Sequence, residues 1–347
     1  MQFVLVRHIL AFLFPLGFCF YLVPLMIQAA KKLKIFDIPD GKIKLHKAPT
    51  PCLGGVAVYI SFVASIALFY PFENKILWLI LGSTFLFLVG LIDDLRPLSP
   101  KQKLTGQIIA TICFLKGGFA LKTDFFSSYI NIFASGFWIL AIINAFNLVD
   151  VMDGLASILA IVSGASFAAI SFFLGKYDLT LLLASFLGAS IAFLFFNRPP
   201  AKIYLGDAGS MFIGGFLSAI PLLIRWTRVL RECNALPNII SSNSFGEIEF
   251  SAAIPVMCIG IPALEITYLV FIRTLKGIPF YAGSPHHFSI YLRLKGWAPR
   301  SILIFSGIAA SALALIAILF MFSHINFYLF LTSTVFLLAI WHMKIYK

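Results

Sequence analysis

The chain has 347 residues, of which 61% are hydrophobic and only 12% charged, and its mean hydropathy is +0.98. This composition excludes an ordinary soluble domain, and continuous apolar runs without two-residue alternation exclude a closed membrane barrel. A formal net charge of +12 in so apolar a chain reads as basic loops on the inner face of a membrane plus an anionic ligand, not as nucleic-acid binding.

Apolar runs long enough to cross a bilayer predict helices near residues 9–30, 54–72, 76–92, 104–121, 130–146, 155–174, 179–196, 211–225, 251–272, 301–322 and 327–343. The first run is longer than the core of a secretion signal and is read as a retained span. The expected fold is therefore all-α: a polytopic membrane protein of about 10–11 transmembrane helices, one integral membrane domain over residues 1–347, with its active site built from cytoplasmic loops. With Met1 outside, the gaps 31–53, 93–103, 147–154, 197–210 and 273–300 and the tail from Lys344 hold 18 of the 26 Lys and Arg residues, which places them in the cytoplasm. The five cysteines are scattered without a CxxC pair, so neither a disulfide framework nor a zinc site is indicated.

The same gaps hold the polar motifs. In GLIDDLRPLSPKQKL, Asp93 and Asp94 end an apolar helix and are followed by Arg96, Lys101 and Lys103. Paired carboxylates at a membrane surface suit Mg²⁺ or a general base beside a metal, and the basic residues suit phosphate. A solvated helix end would account for the pair taken alone. In NAFNLVDVMDGLA, Asn144, Asn147, Asp150 and Asp153 recur every third residue and form a polar stripe at near-helical spacing. Capping of the next helix by Asp153 explains one of these four residues. In YLGDAGS, Asp207 stands between Gly206 and Gly209 at the start of a helix, where glycines permit close backbone approach and the helix N-terminus attracts phosphate; Tyr204 could stack on a base. In GSPHHFSIYLRLKGW, His286 and His287 point apart on a helix, which argues against a two-histidine metal site and leaves phosphate binding, supported by Arg293 and Lys295. Glu265 is an acid inside the ninth expected span, where it is either functional or paired with a neighbouring helix; Pro255 and Pro262 suggest that this helix bends.

Taken together, DIPDGKIKLHKAPTPCLGG, the Asp93-Asp94 stretch, NAFNLVDVMDGLA, YLGDAGS and the His286-His287 segment resemble the polyprenyl-phosphate N-acetylhexosamine-1-phosphate transferase family over nearly the whole chain. Members move a sugar 1-phosphate from a UDP-sugar to a membrane polyprenyl phosphate and release UMP, with Mg²⁺. The resemblance implies that Asp93 is the base, with Asp94 and Asp207 completing the catalytic set. It implies Asp207 as principal metal ligand with Asp94 beside it, for Mg²⁺ or alternatively Mn²⁺. It implies a substrate-binding set of Lys44, His46, Lys103, Asn144, Asn147, Asp150, Asp153, Asn197, Tyr204, His286 and His287. Two positions depart from the family pattern. Val151 stands where glycine is common, and the histidine motif reads Pro-His-His instead of a triple-His or His-x-His form.

The implied partners are a UDP-sugar and a polyprenyl phosphate, here undecaprenyl phosphate, in a bacterial inner membrane. A homodimer is compatible with this reading. The wording around Asp93 favours the UDP-N-acetylglucosamine branch over phospho-N-acetylmuramoyl-pentapeptide transfer. A single in-line displacement is expected, with a covalent aspartyl-phosphate route as its alternative. From another class, a secondary transporter would use Glu265 and broken helices as an ion path, but no internal repeat is present; a purely structural membrane protein leaves the clustered carboxylates unexplained.

Overall fold

A computed structural model describes residues 2–37, 49–71, 73–123, 126–224, 244–279 and 284–322, with Trp226, Val229, Tyr281 and Thr334. Helices dominate. They are α1 (Gln2–Leu33), α2 (Gly54–Phe69), α3 (Asn74–Leu95), α4 (Pro100–Lys116), α5 (Ser128–Val149), α6 (Leu155–Phe173), α7 (Tyr177–Asn197), α8 (Gly206–Ala219, continued by a single 3-10 turn to Leu223), α9 (Ser244–Ile259), α10 (Ile261–Leu275), α11 (Phe288–Leu294) and α12 (Pro299–Phe322). Two-residue strands β1 (Phe36–Asp37) and β2 (Thr50–Pro51) pair antiparallel between α1 and α2, a ladder that the sequence pattern did not reveal.

Seven of the helices among the described residues are long and apolar enough to cross a membrane, and the α9–α10 pair makes eight if its two arms form one span. The expected spans at 54–72 and 104–121 are helices α2 and α4, of 16 and 17 residues. At 1.5 Å per residue they reach about 24 to 26 Å, short of the ~30 Å hydrocarbon core. Of the expected span at 327–343 only Thr334 is among the described residues. The bend expected in the ninth span is large: the arms meet at 91° across Gly260, which takes φ +52, and Pro262 in the first turn of α10 has no N–H to continue the helix ladder.

The ends of the helices follow local chemistry. Arg96 leaves α3 in an extended conformation just before Pro97. Ser99 then caps α4: its hydroxyl accepts from the Gln102 amide, the Gln102 side chain accepts from the Ser99 amide at 2.9 Å, and Pro100 follows at the first helical position. This turn fixes Lys103 one turn into α4, facing the end of α3.

Helix α8 is the hub, buried from Ala208 to Ala219 and packed against α2, α3, α5 and α6. Phe62 of α2, Phe186 of α7, and Phe212 and Phe216 of α8 form an aromatic cluster, with centroids 4.9 Å apart for Phe62–Phe216 and 4.8 Å for Phe186–Phe216. Apolar side chains such as Leu13, Leu77, Phe133, Phe137 and Ile308 stay exposed on the outer helices, where lipid is their natural solvent.

Close backbone approach seats the start of α8. A Cβ added at Gly55 would lie 2.3 Å from the Gly209 amide nitrogen, and one at Gly90 would lie 2.3 Å from the Asp207 carbonyl oxygen. Without a hydrophobic drive between helices in lipid, such small-residue contacts supply the packing. Gly55→Val should therefore lower the melting temperature in detergent, at a cost of about 1–3 kcal/mol for overpacking. Gly17→Ala, where nothing lies within 4 Å of the added atom, should leave it unchanged or slightly raised.

Candidate active site

Residues of the gaps 93–103, 147–154 and 197–210, together with β1, Cys52 and the α11 region, line one cavity of about 660 Å³ at a single end of the bundle. Six carboxylates face it: Asp37, Asp93, Asp94, Asp150, Asp153 and Asp207. Among the described residues that line it, Arg293 is the only base.

Behind two of these carboxylates the Lys103 ammonium, which does not itself line the cavity, joins four helices. It donates to Asp93 Oδ2 of α3 at 3.1 Å, to Asn147 Oδ1 of α5 at 3.3 Å, and to Asp207 Oδ2 of α8. The Asn147 amide in turn donates to Asp207 Oδ1 at 2.7 Å and to the Ser210 hydroxyl at 3.0 Å. Asp93 also accepts from the Leu98 amide at 2.6 Å, which ties it to the turn that launches α4. A lysine between two carboxylates offsets their mutual repulsion, and charge-assisted hydrogen bonds hold each oxygen in place.

Asp94 has a different setting from Asp93. Its Oδ1 accepts from the Asp207 amide at 2.8 Å and its Oδ2 from the Ala208 amide at 3.0 Å. It is thus an N-terminal cap supplied to α8 by another helix, with its negative charge on the positive end of the α8 dipole. Gly206 allows this contact: its φ is +73, and a Cβ there would lie 2.6 Å from Asp94 Oδ2. The two adjacent acids therefore divide their tasks. Asp93 meets the ammonium, and Asp94 holds the helix that carries Asp207.

The polar stripe expected across residues 144–153 is divided by the end of α5 at Val149. Asn144 pairs reciprocally with Gln107, accepting from its amide at 3.2 Å and donating to it at 2.9 Å, and also donates to the Leu140 carbonyl at 2.7 Å. Its amide is spent on joining α4 to α5, and Asn144 is not a cavity-lining residue. Asn147 reaches the Lys103 cluster. Asp150 and Asp153 lie beyond the helix and line the cavity. Burial, then the charges of Asp207 and Asp94, push Asp150 well above the ordinary carboxylate range. Asp153 Oδ2 accepts from the Ala201 amide at 2.9 Å.

Asn197 borders the cavity but uses its amide internally, donating to the Ile203 carbonyl at 2.9 Å and accepting from Ser157 at 2.8 Å. It shapes the loop that delivers Tyr204. That loop is stitched to β2 and the start of α2: the Tyr204 amide donates to Pro51, and the Gly54 and Gly55 amides donate to Tyr204 and Leu205. Tyr204 lines the cavity, and burial followed by the charge of Asp153 raises its hydroxyl pKa.

The two histidines do not line the cavity. His287 Nδ1 sits 3.1 Å from Glu265 Oε1, with both side chains buried. His286 Nε2 lies 2.7 Å from the Lys276 ammonium. Burial, then the neighbouring cations Lys276 and Arg273, shifts His286 down towards its neutral form, which disfavours an imidazolium held for phosphate. From this segment it is Ser289, Ile290 and Arg293 that reach the cavity. Arg293 was visible in sequence only as an added positive charge. Asp37 and Cys52, also at the wall, belong to the DIPDGKIKLHKAPTPCLGG stretch, which pointed to the loop without singling out either residue; burial, then the Asp94 charge, keeps the Cys52 thiol protonated. Lys44 and His46 lie outside the described residues.

These features define a polytopic α-helical membrane protein with an acidic cavity at one end of its bundle. The family model for Glycosyl transferase family 4 matches residues 76–225. The chain is 28% identical over 312 residues to the probable undecaprenyl-phosphate N-acetylglucosaminyl 1-phosphate transferase of Bacillus subtilis (strain 168), covering 86% of this chain and 81% of that protein. It is 32% identical over 232 residues to the phospho-N-acetylmuramoyl-pentapeptide-transferase of Streptococcus pneumoniae serotype 19F (strain G54), covering 60% of this chain and 71% of that protein. The counterpart from Streptococcus pneumoniae (strain 70585) is 31% identical over 233 residues, with the same coverage. The chain belongs to glycosyl transferase family 4.

Removing the Asp94 carboxylate strips two amides of their acceptor. Asp94→Ala should destabilise the protein by about 1–2 kcal/mol, in the range of a lost helix cap, and thermal melting in detergent measures it. Asp94→Asn, which keeps one good acceptor oxygen, should fall between the alanine variant and the parent.

Proposed function

We propose that this protein transfers N-acetylglucosamine 1-phosphate from UDP-N-acetylglucosamine to undecaprenyl phosphate, giving undecaprenyl-diphosphate-N-acetylglucosamine and UMP, on the cytoplasmic face of the bacterial inner membrane. The observation that carries this reading is the Asp93–Lys103–Asp207–Asn147 cluster, whose two carboxylates line the cavity where the bundle meets its basic loops. The branch is favoured because the N-acetylglucosaminyl 1-phosphate relative aligns over 86% of the chain, against 60% for the pentapeptide transferase. The basic residues of the same gaps support a cytoplasmic site.

The donor set fits Mg²⁺. Among the described residues no three His, Cys, Asp or Glu side chains already converge as a metal cage. Mg²⁺ in phosphoryl-transfer sites does not need one, since it takes one or two carboxylates with waters and substrate phosphate oxygens as its other ligands. Asp207 would hold it from the start of α8, and Asp94, its oxygens already turned to the Asp207 and Ala208 amides, would serve as supporting carboxylate. When bound, the ion offsets phosphate charge and stabilises oxygens that gain charge in the transition state.

The protein's own residues supply the rest. Asp93 takes the proton of the lipid phosphate. An oxygen of that phosphate then attacks the β-phosphorus of the UDP-sugar, the bond from that phosphorus to its bridging oxygen breaks, and UMP departs with the oxygen. Lys103 holds Asp93 and Asp207 at a fixed spacing and faces the anionic substrates with positive charge. Arg293, which lines the cavity, contacts phosphate. Tyr204, Asp150 and Asp153 form the nucleotide end of the cavity. Because the lipid acceptor never leaves the bilayer, anchoring the site at its edge supplies proximity.

Purified protein with Mg²⁺, undecaprenyl phosphate and a panel of UDP-sugars should release UMP fastest with UDP-N-acetylglucosamine. Preference for UDP-N-acetylmuramoyl-pentapeptide would move the protein to the other branch, and no UMP with any donor would overturn the transferase reading. Asp93→Asn and Asp207→Asn should each reduce turnover by about 10²–10⁴-fold, the usual size of a lost acid–base or electrostatic contribution, with the melting temperature close to the parent's. Lys103→Met should lose both turnover and stability, the latter by about 2 kcal/mol, because it leaves two carboxylates facing each other without their cation.

A further inference from the structure

Glu265 lies on α10, just past the break at Gly260, and is only 3% exposed. A carboxylate this buried is tolerated only when charge-assisted hydrogen bonds offset its desolvation. Its Oε1 supplies them to one place. It accepts from the Phe288 amide at 3.2 Å and contacts His287 Nδ1 at 3.1 Å. A carboxylate only accepts, so His287 carries its proton on Nδ1. Eight residues further along the same helix, buried Arg273 donates from Nε to the Ser284 hydroxyl at 2.9 Å. Helix α10 thus grips the segment 284–288 at two points.

That segment launches α11, a helix of seven residues with no side-chain cap of its own. So short a helix is unstable alone. The Glu265 carboxylate caps it from outside, accepting the first helical amide and placing negative charge at the positive end of the helix. One face of α11 then presents Ser289, Ile290 and Arg293 to the cavity.

We propose that Glu265 is a positioning residue for the cavity: through the Phe288 amide and His287 it fixes the start of α11 and so aims Arg293 at bound substrate. The role of Arg293 rests on the transferase reading above; the anchoring of α11 does not. On this account His287 serves the site as a tether and not as a phosphate ligand.

Two measurements on the full chain in detergent test it. Hydrogen exchange should run on the order of ten times faster for the amides of α11 in Glu265→Ala than in the parent, with α3 and α8 unchanged. Glu265→Gln, which keeps an acceptor oxygen, should stay near the parent. In the transfer assay, Glu265→Ala and Arg293→Ala should each raise KM for UDP-N-acetylglucosamine about tenfold with kcat within twofold, and the double variant should be no worse than Arg293→Ala alone. Unchanged exchange in α11, or KM effects that multiply in the double variant, would overturn the proposal. Should Glu265→Ala fail to fold, His287→Ala removes the other half of the tether and must show the same faster exchange. If the parent releases no UMP, the transfer reading fails, and the exchange measurement still decides whether Glu265 anchors α11.

Discussion

The site depends on one ammonium group. Lys103 reaches Asp93 on α3, Asn147 on α5 and Asp207 on α8 from its own place on α4, so four helices meet at a single charge. Carboxylates beside a hydrocarbon core are expensive. Two of them at this spacing are tolerable because the lysine lies between them, and because Asn147 and the Leu98 amide take up further oxygen lone pairs. The packing that allows it is steric: Gly55 and Gly90 let the start of α8 approach α2 and α3 to backbone contact. Charge and packing are therefore one constraint, since α8 could not carry Asp207 to Lys103 if either glycine held a larger side chain.

Much of this was readable in the sequence because lipid punishes misplaced polarity. Asp93, Asp94, Asp150, Asp153, Tyr204 and Asp207 were singled out as polar residues grouped between apolar runs, and all six line the cavity. The charge bias of the gaps anticipated that they would share one end of the bundle. The existence and type of the helices followed from long apolar runs, and the bend near Pro262 from proline chemistry.

What stayed hidden depends on direction, which periodicity alone does not give. Asp93 and Asp94 are neighbours in sequence, yet one faces Lys103 and the other caps α8, and nothing in the pair tells them apart. The polar stripe assumed that helical spacing continued past Val149; where α5 ends, Asn144 belongs to a helix–helix contact with Gln107 and Asp150 to the cavity wall. His287 was conspicuous as half of a histidine pair, and Glu265 as an acid in a span. That each explains the other requires α10 and the start of α11 to be brought together over 22 residues of sequence, a long-range fact. Arg293 stood out only as added positive charge for the opposite reason, being one of several basic residues in a basic gap.

The uneven charge of the cavity bears on how two anionic substrates could share it. Six carboxylates line it against one lining arginine, with Lys103 behind them. A site built only to attract phosphate would be lined with bases, so the acids must do something bases cannot. Asp94 orders a helix start, and on the transferase reading Asp93 would accept a proton while Asp207 would offer a hard oxygen donor to the phosphates, both carboxylates being held in place by Lys103. Asp150, pushed towards its neutral form by burial and by the charges of Asp207 and Asp94, adds no repulsion, and the remaining acids Asp37 and Asp153 lie near Tyr204. There they would repel a misplaced phosphate and favour the hydroxyl and amide groups of a nucleoside or sugar, which can donate to them. On the transferase reading, negative walls in such a cavity would select orientation: phosphates would be drawn towards Arg293 and the charge of Lys103, and the uncharged, donor-rich part of the ligand would be left near Tyr204.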